Sequence, residues 1–266
     1  MKTVLSLFVL LPALVFTLLS DSAVRADRSA SVSTQATAVP TESTAPGTPL
    51  VVLELFTSQG CSSCPPADAL LSELHQRSTA GEPIVALSYH VDYWNYLGWE
   101  DPFSSPYYSA RQRDYTERLR ARTYTPQLVV NGTHELVGSR SKEVKALVDR
   151  AMAARSATAV PTVTVEHDGS QVAVSYALEQ DRPEHRVTAL LVQREATSAV
   201  RRGENRGRQL SHHNVVRQMK HAPAAAVGNF SLTVPDGLTA REVSVVLLVQ
   251  DVETQAIVGA TRQALK

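Results

Sequence analysis

The pattern of hydrophobic and polar positions changes several times along the chain, and each change marks a different segment. Residues 4–19 are almost continuously apolar, whereas residues 27–49 are rich in Ser, Thr, Ala and Pro. From residue 50 onward, short apolar runs alternate with segments of helical spacing, and from about residue 159 short alternating runs dominate. The pattern predicts an N-terminal targeting segment, a disordered tether over residues 27–49 and an ordered part that begins at Leu50.

The first segment has the order of a secretory signal peptide. Met1 and Lys2 give a short positive start, an apolar run interrupted by Pro12 follows, and polar residues then lead to the small residues Ala23 and Ala26. The apolar run is short for a membrane span, which needs about 20 residues. We therefore predict a signal peptide over residues 1–26, with an uncleaved anchor as the alternative. The mature protein is then periplasmic or secreted, without a stable membrane span.

The ordered part begins with a strand and helix pattern that surrounds the two cysteines. An apolar run is followed by a turn, by Cys61 and Cys64 with two serines between them, and by Pro65 and Pro66. Proline suits the first turn of a helix, where its missing N–H has no partner to lose. The apolar spacing predicts a strand over Leu50–Phe56, a helix over Ala67–Arg77 and a strand over Ile84–Tyr89.

The rest of the chain predicts two further regions. Up to residue 157, the spacing predicts a helix over Ser109–Ala121, a strand over Gln127–Val130, a hairpin with its second strand over Glu135–Val137, and a helix from Ser141. Residues 158–266 carry short alternating runs, with a hairpin signal at Asp168-Gly169. Several short strands without helix signals predict an all-β, sandwich-like domain.

Composition narrows the classes of function. Lys plus Arg and Asp plus Glu both number 26, which argues against a general nucleic-acid binder, since such a protein needs a basic surplus. The two cysteines are too few for a disulfide-stapled miniprotein or a four-cysteine zinc site. An exported chain also works where thiols can be oxidised.

The two cysteines are the main candidate for chemistry. A helix start lowers the pKa of a nearby thiol, so Cys61 is expected to be exposed and to attack, while Cys64 resolves the mixed disulfide. An inert disulfide or a metal-binding pair are the alternatives. A bridge across two residues closes too small a loop to stabilise the fold much, which favours a redox-active centre.

The cysteine segment also carries a resemblance to a known family. The phrases from Glu54 to Asp68 and from His90 to Trp99 resemble the DUF1223 family of exported bacterial proteins, which is usually placed in the thioredoxin superfamily and has no well-defined activity. The resemblance implies an α/β thioredoxin-like domain over residues 50–157, with an aromatic insertion over 90–124, followed by the sandwich-like domain. It also implies that Thr125-Pro126 is a cis-proline bond opposite the cysteines, so that Pro126 shares the catalytic site.

Further candidates surround this site. The stretch from Tyr89 to Tyr124 holds both tryptophans and seven of the eight tyrosines; these side chains pack a satellite core or line a cleft, in which Tyr93, Trp94 and Thr125 would bind substrate. Glu54 is a candidate proton acceptor or a loop-facing carboxylate. His90 and Asp92 follow a strand end, where they transfer protons, bind metal or brace the loop.

Taken together, the sequence predicts an exported thiol–disulfide oxidoreductase that acts on a protein or a small thiol and needs no cofactor. A copper-binding chaperone that uses His90 and a non-catalytic binding module are the alternatives. An arginine-rich stretch, Arg201 to Arg208, is either a solvated loop or a grip for an acidic partner.

Overall fold

The structure, a computed structural model, describes residues 47–265. The predicted signal peptide over residues 1–26 and most of the predicted tether lie outside the described residues. No helix within the described range is long and apolar enough to cross a membrane. The helices are α1 (Pro65–Thr79), α2 (Pro106–Arg118) and α3 (Ser141–Ala153). The strands are β1 (Val51–Thr57), β2 (Ile84–His90), β3 (Gln127–Val130), β4 (His134–Val137), β5 (Thr162–His167), β6 (Gln171–Ala177), β7 (Arg182–Ala199), β8 (Gln209–Ala224), β9 (Val227–Thr233), β10 (Val243–Asp251) and β11 (Ile257–Ala264).

Strand β1 lies inside the molecule and is buried on both of its faces. Val51, Leu53 and Leu55 pack against α1 and α3, while Val52 and Phe56 point to the opposite face, against α2. Strands covered on both faces read as continuous apolar runs, and this is why the sequence pattern located the strand. Strand β1 pairs with β2 in parallel on one side and with β3 antiparallel on the other.

The strands of both halves of the chain form one mixed sheet. Its eight strands follow the order β11-β10-β7-β8-β2-β1-β3-β4, and β5, β6 and β9 form a separate three-stranded sheet. Strand β8 joins the halves, because it pairs antiparallel with β7 and parallel with β2 at Ser88 and Val215. One apolar core runs across this junction and includes Val85, Val192 and Val246.

The predicted fold class is therefore wrong. The sequence predicted a thioredoxin-like α/β domain followed by an all-β sandwich-like domain, but β7, β8, β10 and β11 continue the sheet of β1–β4. The cause is β8, which was not predicted because its buried positions include the polar His212 and Asn214. The domain boundaries themselves stay predictions.

The small sheet closes the second apolar core of the ordered part. Val174 of β6 and Phe230 of β9 pack with Leu191 of β7 and Leu247 of β10. The predicted hairpin at Asp168-Gly169 is confirmed, since β5 and β6 pair antiparallel around it. This packing holds β7 and β8 in place, and the loop between them reaches the cysteines.

Candidate functional site

Cys61 and Cys64 lie at the junction between β1 and α1. Their sulfur atoms are 2.20 Å apart, at disulfide-bonding distance. Cys64 is the N-cap residue of α1, and prolines occupy the first positions of the helix. Cys64 N–H donates to the carbonyl of Cys61, and the N–H of Asp68 donates to the carbonyl of Cys64. The cysteine pair thus lies at the positive end of a helix, as the sequence predicted.

The expectation that Cys61 is exposed is wrong. Both cysteines are completely buried, whereas Ser62 and Ser63 between them are exposed. Residues 200–208, which connect β7 to β8 and which we call the arginine loop, are bound to the cysteine segment. Buried Asn205 donates from Nδ2 to the carbonyls of Gln59 and Cys61, both at 2.9 Å. The second half of the chain therefore contacts the backbone of the cysteine segment in the first.

A second contact attaches the arginine loop to the cysteine segment. The backbone N–H of Ser62 donates to Oε2 of Glu204 at 2.9 Å. Hydrogen bonds from Ser62 lower the pKa of Glu204 below its ordinary value, so the side chain is a carboxylate at neutral pH. This carboxylate lies on the backbone directly between the two cysteines.

Thr125 and Pro126 lie on the other side of Cys61. The Thr125–Pro126 bond is cis, which confirms that prediction. Thr125 Oγ1 donates to Cys61 Sγ at 3.2 Å, and it accepts a hydrogen bond from Nε1 of Trp94 at 2.8 Å. Ser63 Oγ lies 3.4 Å from the same sulfur. Trp94 thus orients Thr125, and two hydroxyl groups face Sγ of Cys61.

Tyr93 and Asp92 connect the aromatic segment to α2. Tyr93 OH donates to Oε1 of Gln112 at 3.1 Å, and burial raises the pKa of Tyr93 to about 12. Ser109 Oγ donates to Oδ1 of Asp92 at 2.5 Å. Asp92 therefore braces the loop that follows β2, and its described partner is a serine rather than His90.

His90 pairs instead with Asp101. Nδ1 of His90 lies 2.7 Å from Oδ2 of Asp101, and neither side chain is accessible to solvent. Burial alone would raise the pKa of Asp101. His90 and the backbone N–H groups of Gln59 and Phe103 outweigh this effect, so the pKa of Asp101 lies below its ordinary value. Because Gln59 N–H donates to the same carboxylate at 2.8 Å, the pair fixes the turn that leads into Cys61.

A second histidine and carboxylate lie behind this turn. The rings of His212 and His90 are 4.5 Å apart, and His212 Nδ1 lies 3.8 Å from Oδ1 of Asp68. Burial would lower the pKa of His212, but the negative charges of Asp68 and Asp101 raise it. Asp68 stands one turn of α1 beyond Cys64. The buried polar cluster therefore joins the cysteine helix to β8.

Glu54 belongs to a different cluster, on the α2 side of the sheet. Its carboxylate accepts from Nε of Arg111 at 2.7 Å and from Nη2 of Arg111 at 3.0 Å, and also from the hydroxyl of Tyr115. Glu54 has no exposed surface, and Arg111 is nearly inaccessible as well. The charge of Glu54 raises the pKa of Arg111 against the effect of burial. Glu54 is thus engaged in a buried ion pair.

The described residues contain no group of three or more His, Cys, Asp or Glu side chains arranged to hold a metal ion. His90, the candidate copper ligand, is paired with Asp101. The copper-binding alternative therefore has no ligand cluster in support within residues 47–265.

Replacing Asp101 by asparagine should destabilise the protein at neutral pH by about 1–3 kcal/mol, because hydrogen bonds to a charged group are lost. A lowered pKa stabilises the fold above the unfolded-state value of 3.8, and this contribution is lost as the pH falls through the lower folded-state pKa. The difference in free energy of unfolding between the two proteins should therefore be largest well above pH 3.8 and shrink as the pH falls below that value. Exposed Asp236, replaced by asparagine, is the control. A pH-independent difference would contradict this assignment.

Sequence reasoning missed the residues that reach the site from far along the chain. Asn205, Glu204, Asp101, Asp68 and His212 were not predicted to contribute to the site. Asp68 lies inside the quoted family phrase, and the arginine-rich stretch around Asn205 was visible as a charge cluster. No spacing rule connects either to Cys61, because the contact of Asn205 depends on the pairing of β7 with β8.

Comparisons with known proteins agree with this architecture. Residues 52–250 match a family model described as a protein of unknown function, DUF1223. The crystal structure of protein AGR_C_4864 from Agrobacterium tumefaciens is 28% identical, with 80% of this chain and 93% of that chain covered and a TM-score of 0.60. HBP35 of Porphyromonas gingivalis shares the fold at 15% identity, with 82% and 75% covered and a TM-score of 0.58. No curated protein matches the chain.

Proposed function

The chain belongs to the DUF1223 family, whose function is unknown, and we propose that it exchanges thiols and disulfides through Cys61 and Cys64. One observation carries the proposal, namely the asymmetry of the two sulfur atoms. The hydroxyl groups of Thr125 and Ser63 both face Sγ of Cys61, and within residues 47–265 no hydroxyl group contacts Sγ of Cys64. Hydrogen bonds to a thiolate favour it over the thiol, so Cys61 is the nucleophile and Cys64 the resolving residue.

The exchange balances without a cofactor. A substrate thiolate attacks Sγ of Cys61, so the Cys61–Cys64 bond breaks, a mixed disulfide forms, and Cys64 leaves as a thiolate that takes up a proton. The second substrate thiol loses its proton and attacks the mixed disulfide, which forms the substrate disulfide and releases Cys61. Two electrons pass from the substrate dithiol to the protein. The reverse sequence reduces a substrate disulfide.

Exchange requires the arginine loop to move, since both sulfur atoms are buried. Three hydrogen bonds attach the loop to the cysteine segment: two from Asn205 and one to Glu204. Each stabilises the closed form by about 0.5–3 kcal/mol, and opening has to break all of them. Thr125 and the cis bond to Pro126 then form one wall of the opened site, next to Trp94.

We further propose that the protein works outside the cytoplasm, in the periplasm or as a secreted protein. The support is the apolar run of residues 4–19, followed by Ala23 and Ala26, which has the order of a signal peptide. An oxidising compartment also maintains disulfides of the kind formed by Cys61 and Cys64. The substrate is a protein or a small thiol.

A non-catalytic binding module is the second candidate, and the complete burial of both cysteines favours it. In that role the disulfide only holds the start of α1. A structural disulfide needs no stabilised thiolate at Cys61, and this difference separates the two candidates.

Replacing Thr125 by valine should raise the pKa of the Cys61 thiol by about one to two units, because a hydrogen bond to a charged group is worth about 1.5–3 kcal/mol. The measurement is the pH profile of alkylation of Cys61 by iodoacetamide, with Cys64 replaced by serine. The profile gives the pKa even if the arginine loop slows the reaction.

The matched control is Thr123→Val, two residues earlier. Thr123 is exposed, and its hydroxyl lies 3.1 Å from Oγ1 of Thr116 rather than near a sulfur. An ordinary Cys61 pKa near 8.5 that Thr125→Val does not change would refute the exchange proposal and favour the binding module.

A further inference from the structure

The arginine loop carries a strong local positive charge on a chain without net charge. Residues 200–208 contain Arg201, Arg202, Arg206 and Arg208 and a single acidic residue, Glu204. All four arginines are exposed. Among residues 47–265, no carboxylate pairs with Arg201, Arg202 or Arg206, whereas Arg208 donates to Oδ1 of Asn205 at 3.1 Å. Three guanidinium groups are thus available to a partner.

The loop has a defined shape that holds these arginines near the cysteines. Val200 N–H donates to the carbonyl of Arg208, and Gly207 N–H donates to the carbonyl of Val200. Gly203 and Gly207 adopt positive φ values of 73° and 81°, which suit glycine in tight turns. Because Asn205 is bound to the carbonyl of Cys61, Arg206 is one residue away from a direct contact with the cysteine segment.

The cysteine segment itself already binds a carboxylate. The N–H of Ser62, between the two cysteines, donates to Oε2 of Glu204. A carboxylate from a partner can make the same hydrogen bond once the loop moves, while guanidinium groups pair with further carboxylates in bidentate geometry. Both the charges of the loop and this backbone donor therefore select negative groups.

We propose that the arginine loop is a docking site for acidic polypeptide segments, and that the partner presents its cysteines to Cys61 from within such a segment. That this partner is a substrate rests on the proposed exchange activity. Binding of the acidic segment itself requires only Arg201, Arg202 and Arg206. Docking there competes with Glu204 for Ser62, and this competition promotes opening of the cover over the sulfur atoms.

The test uses the described protein and two synthetic peptides with the same intramolecular disulfide, flanked by glutamates in one and by glutamines in the other. The reduced protein should reduce the glutamate peptide at least about fivefold faster at low salt, because opposite charges steer association. The preference should fall at 1 M salt, where the Debye length is about 3 Å. The triple variant R201Q/R202Q/R206Q should bring the ratio of the two rates close to one.

The matched control removes three positive charges elsewhere. Arg118, Arg150 and Arg241 are exposed and lie on three different elements, so R118Q/R150Q/R241Q should keep the preference of the wild type. A wild type that reacts equally with both peptides overturns the proposal. A preference that survives in R201Q/R202Q/R206Q, or disappears in the control variant, overturns it as well.

A binding measurement separates this inference from the exchange activity. A fluorescent glutamate-rich peptide without cysteine should bind the wild type, and R201Q/R202Q/R206Q should weaken the binding at least about fivefold. If no peptide is reduced but this binding is observed, the exchange activity fails and the acidic docking site stands. Absence of binding, with or without exchange, overturns the docking site.

Discussion

Cys61→Ser should abolish exchange, whereas Cys64→Ser should accumulate a mixed disulfide with the substrate. The hydroxyl groups of Thr125 and Ser63 face Sγ of Cys61, which is why the proposal assigns the thiolate to Cys61, and a serine at that position cannot form the covalent intermediate. With Cys64 absent, the intermediate forms but the resolving sulfur is missing, so it persists. Reduction of a disulfide peptide, followed by chromatography, measures the first effect. Mass spectrometry under non-reducing conditions measures the second.

Ser62→Ala is the matched control for both cysteine variants. Ser62 is exposed between the cysteines, and its hydroxyl also hydrogen-bonds Glu204, but the variant keeps both sulfur atoms and the backbone N–H that donates to Glu204 at 2.9 Å. This variant should therefore retain exchange. If both cysteine variants retained the wild-type rate, the exchange proposal would be wrong. Trapping at Cys64 in the Cys61→Ser variant would reverse the assigned roles.

The largest loss of stability is expected from Arg111→Met, because it leaves the carboxylate of Glu54 buried without its cation. Breaking a buried ion pair from one side costs about 3–5 kcal/mol, whereas replacing both partners by apolar residues is often neutral. The double variant Glu54→Leu/Arg111→Met should therefore recover most of the loss. Thermal or urea unfolding of the three proteins measures these differences.

The exposed pair of Lys145 and Glu73 provides the control for this comparison. Lys145 Nζ lies 2.6 Å from Oε1 of Glu73, but both side chains are substantially exposed. Lys145→Met should cost no more than about 1 kcal/mol, as is usual for surface ion pairs. If the double variant is as unstable as Arg111→Met, the loss of stability does not come from the unpaired charge of Glu54. Retention of exchange by the double variant would also remove Glu54 as a proton acceptor.

Local elements could be predicted from the sequence because their apolar residues recur at the spacing of a strand or a helix. The runs that form β1, β2 and β3 are apolar, and α1 presents Leu70, Leu71 and Leu74 on one face. The helix start at the cysteines followed from two prolines, and the cis bond at Pro126 from the family resemblance. These predictions depend on neighbours in the sequence or on a motif.

Strand β8 could not be predicted because two of its buried positions, His212 and Asn214, are polar. Asn214 donates from Nδ2 to the carbonyl of Ala86 at 2.9 Å and lies 2.9 Å from Nδ1 of His75. A buried amide is stable only with such partners, and these partners are more than 120 residues away in the chain. The same cause hid Asn205, whose partners Gln59 and Cys61 are equally distant in the chain, from the sequence analysis of the site. Because β8 was not predicted, the strands of one sheet were assigned to two domains.

The position of β8 next to β2 also determines when the large sheet can form during synthesis. A chain is made from its N-terminus, so β1 and β2 emerge long before the residues around Val215 that pair with Ser88. Until then, β2 has one open edge of unpaired backbone groups, which is a template for association with other chains. Long-range pairing of this kind is also intrinsically slow. The open edge of β2 is therefore covered only once the residues of β8 have been made.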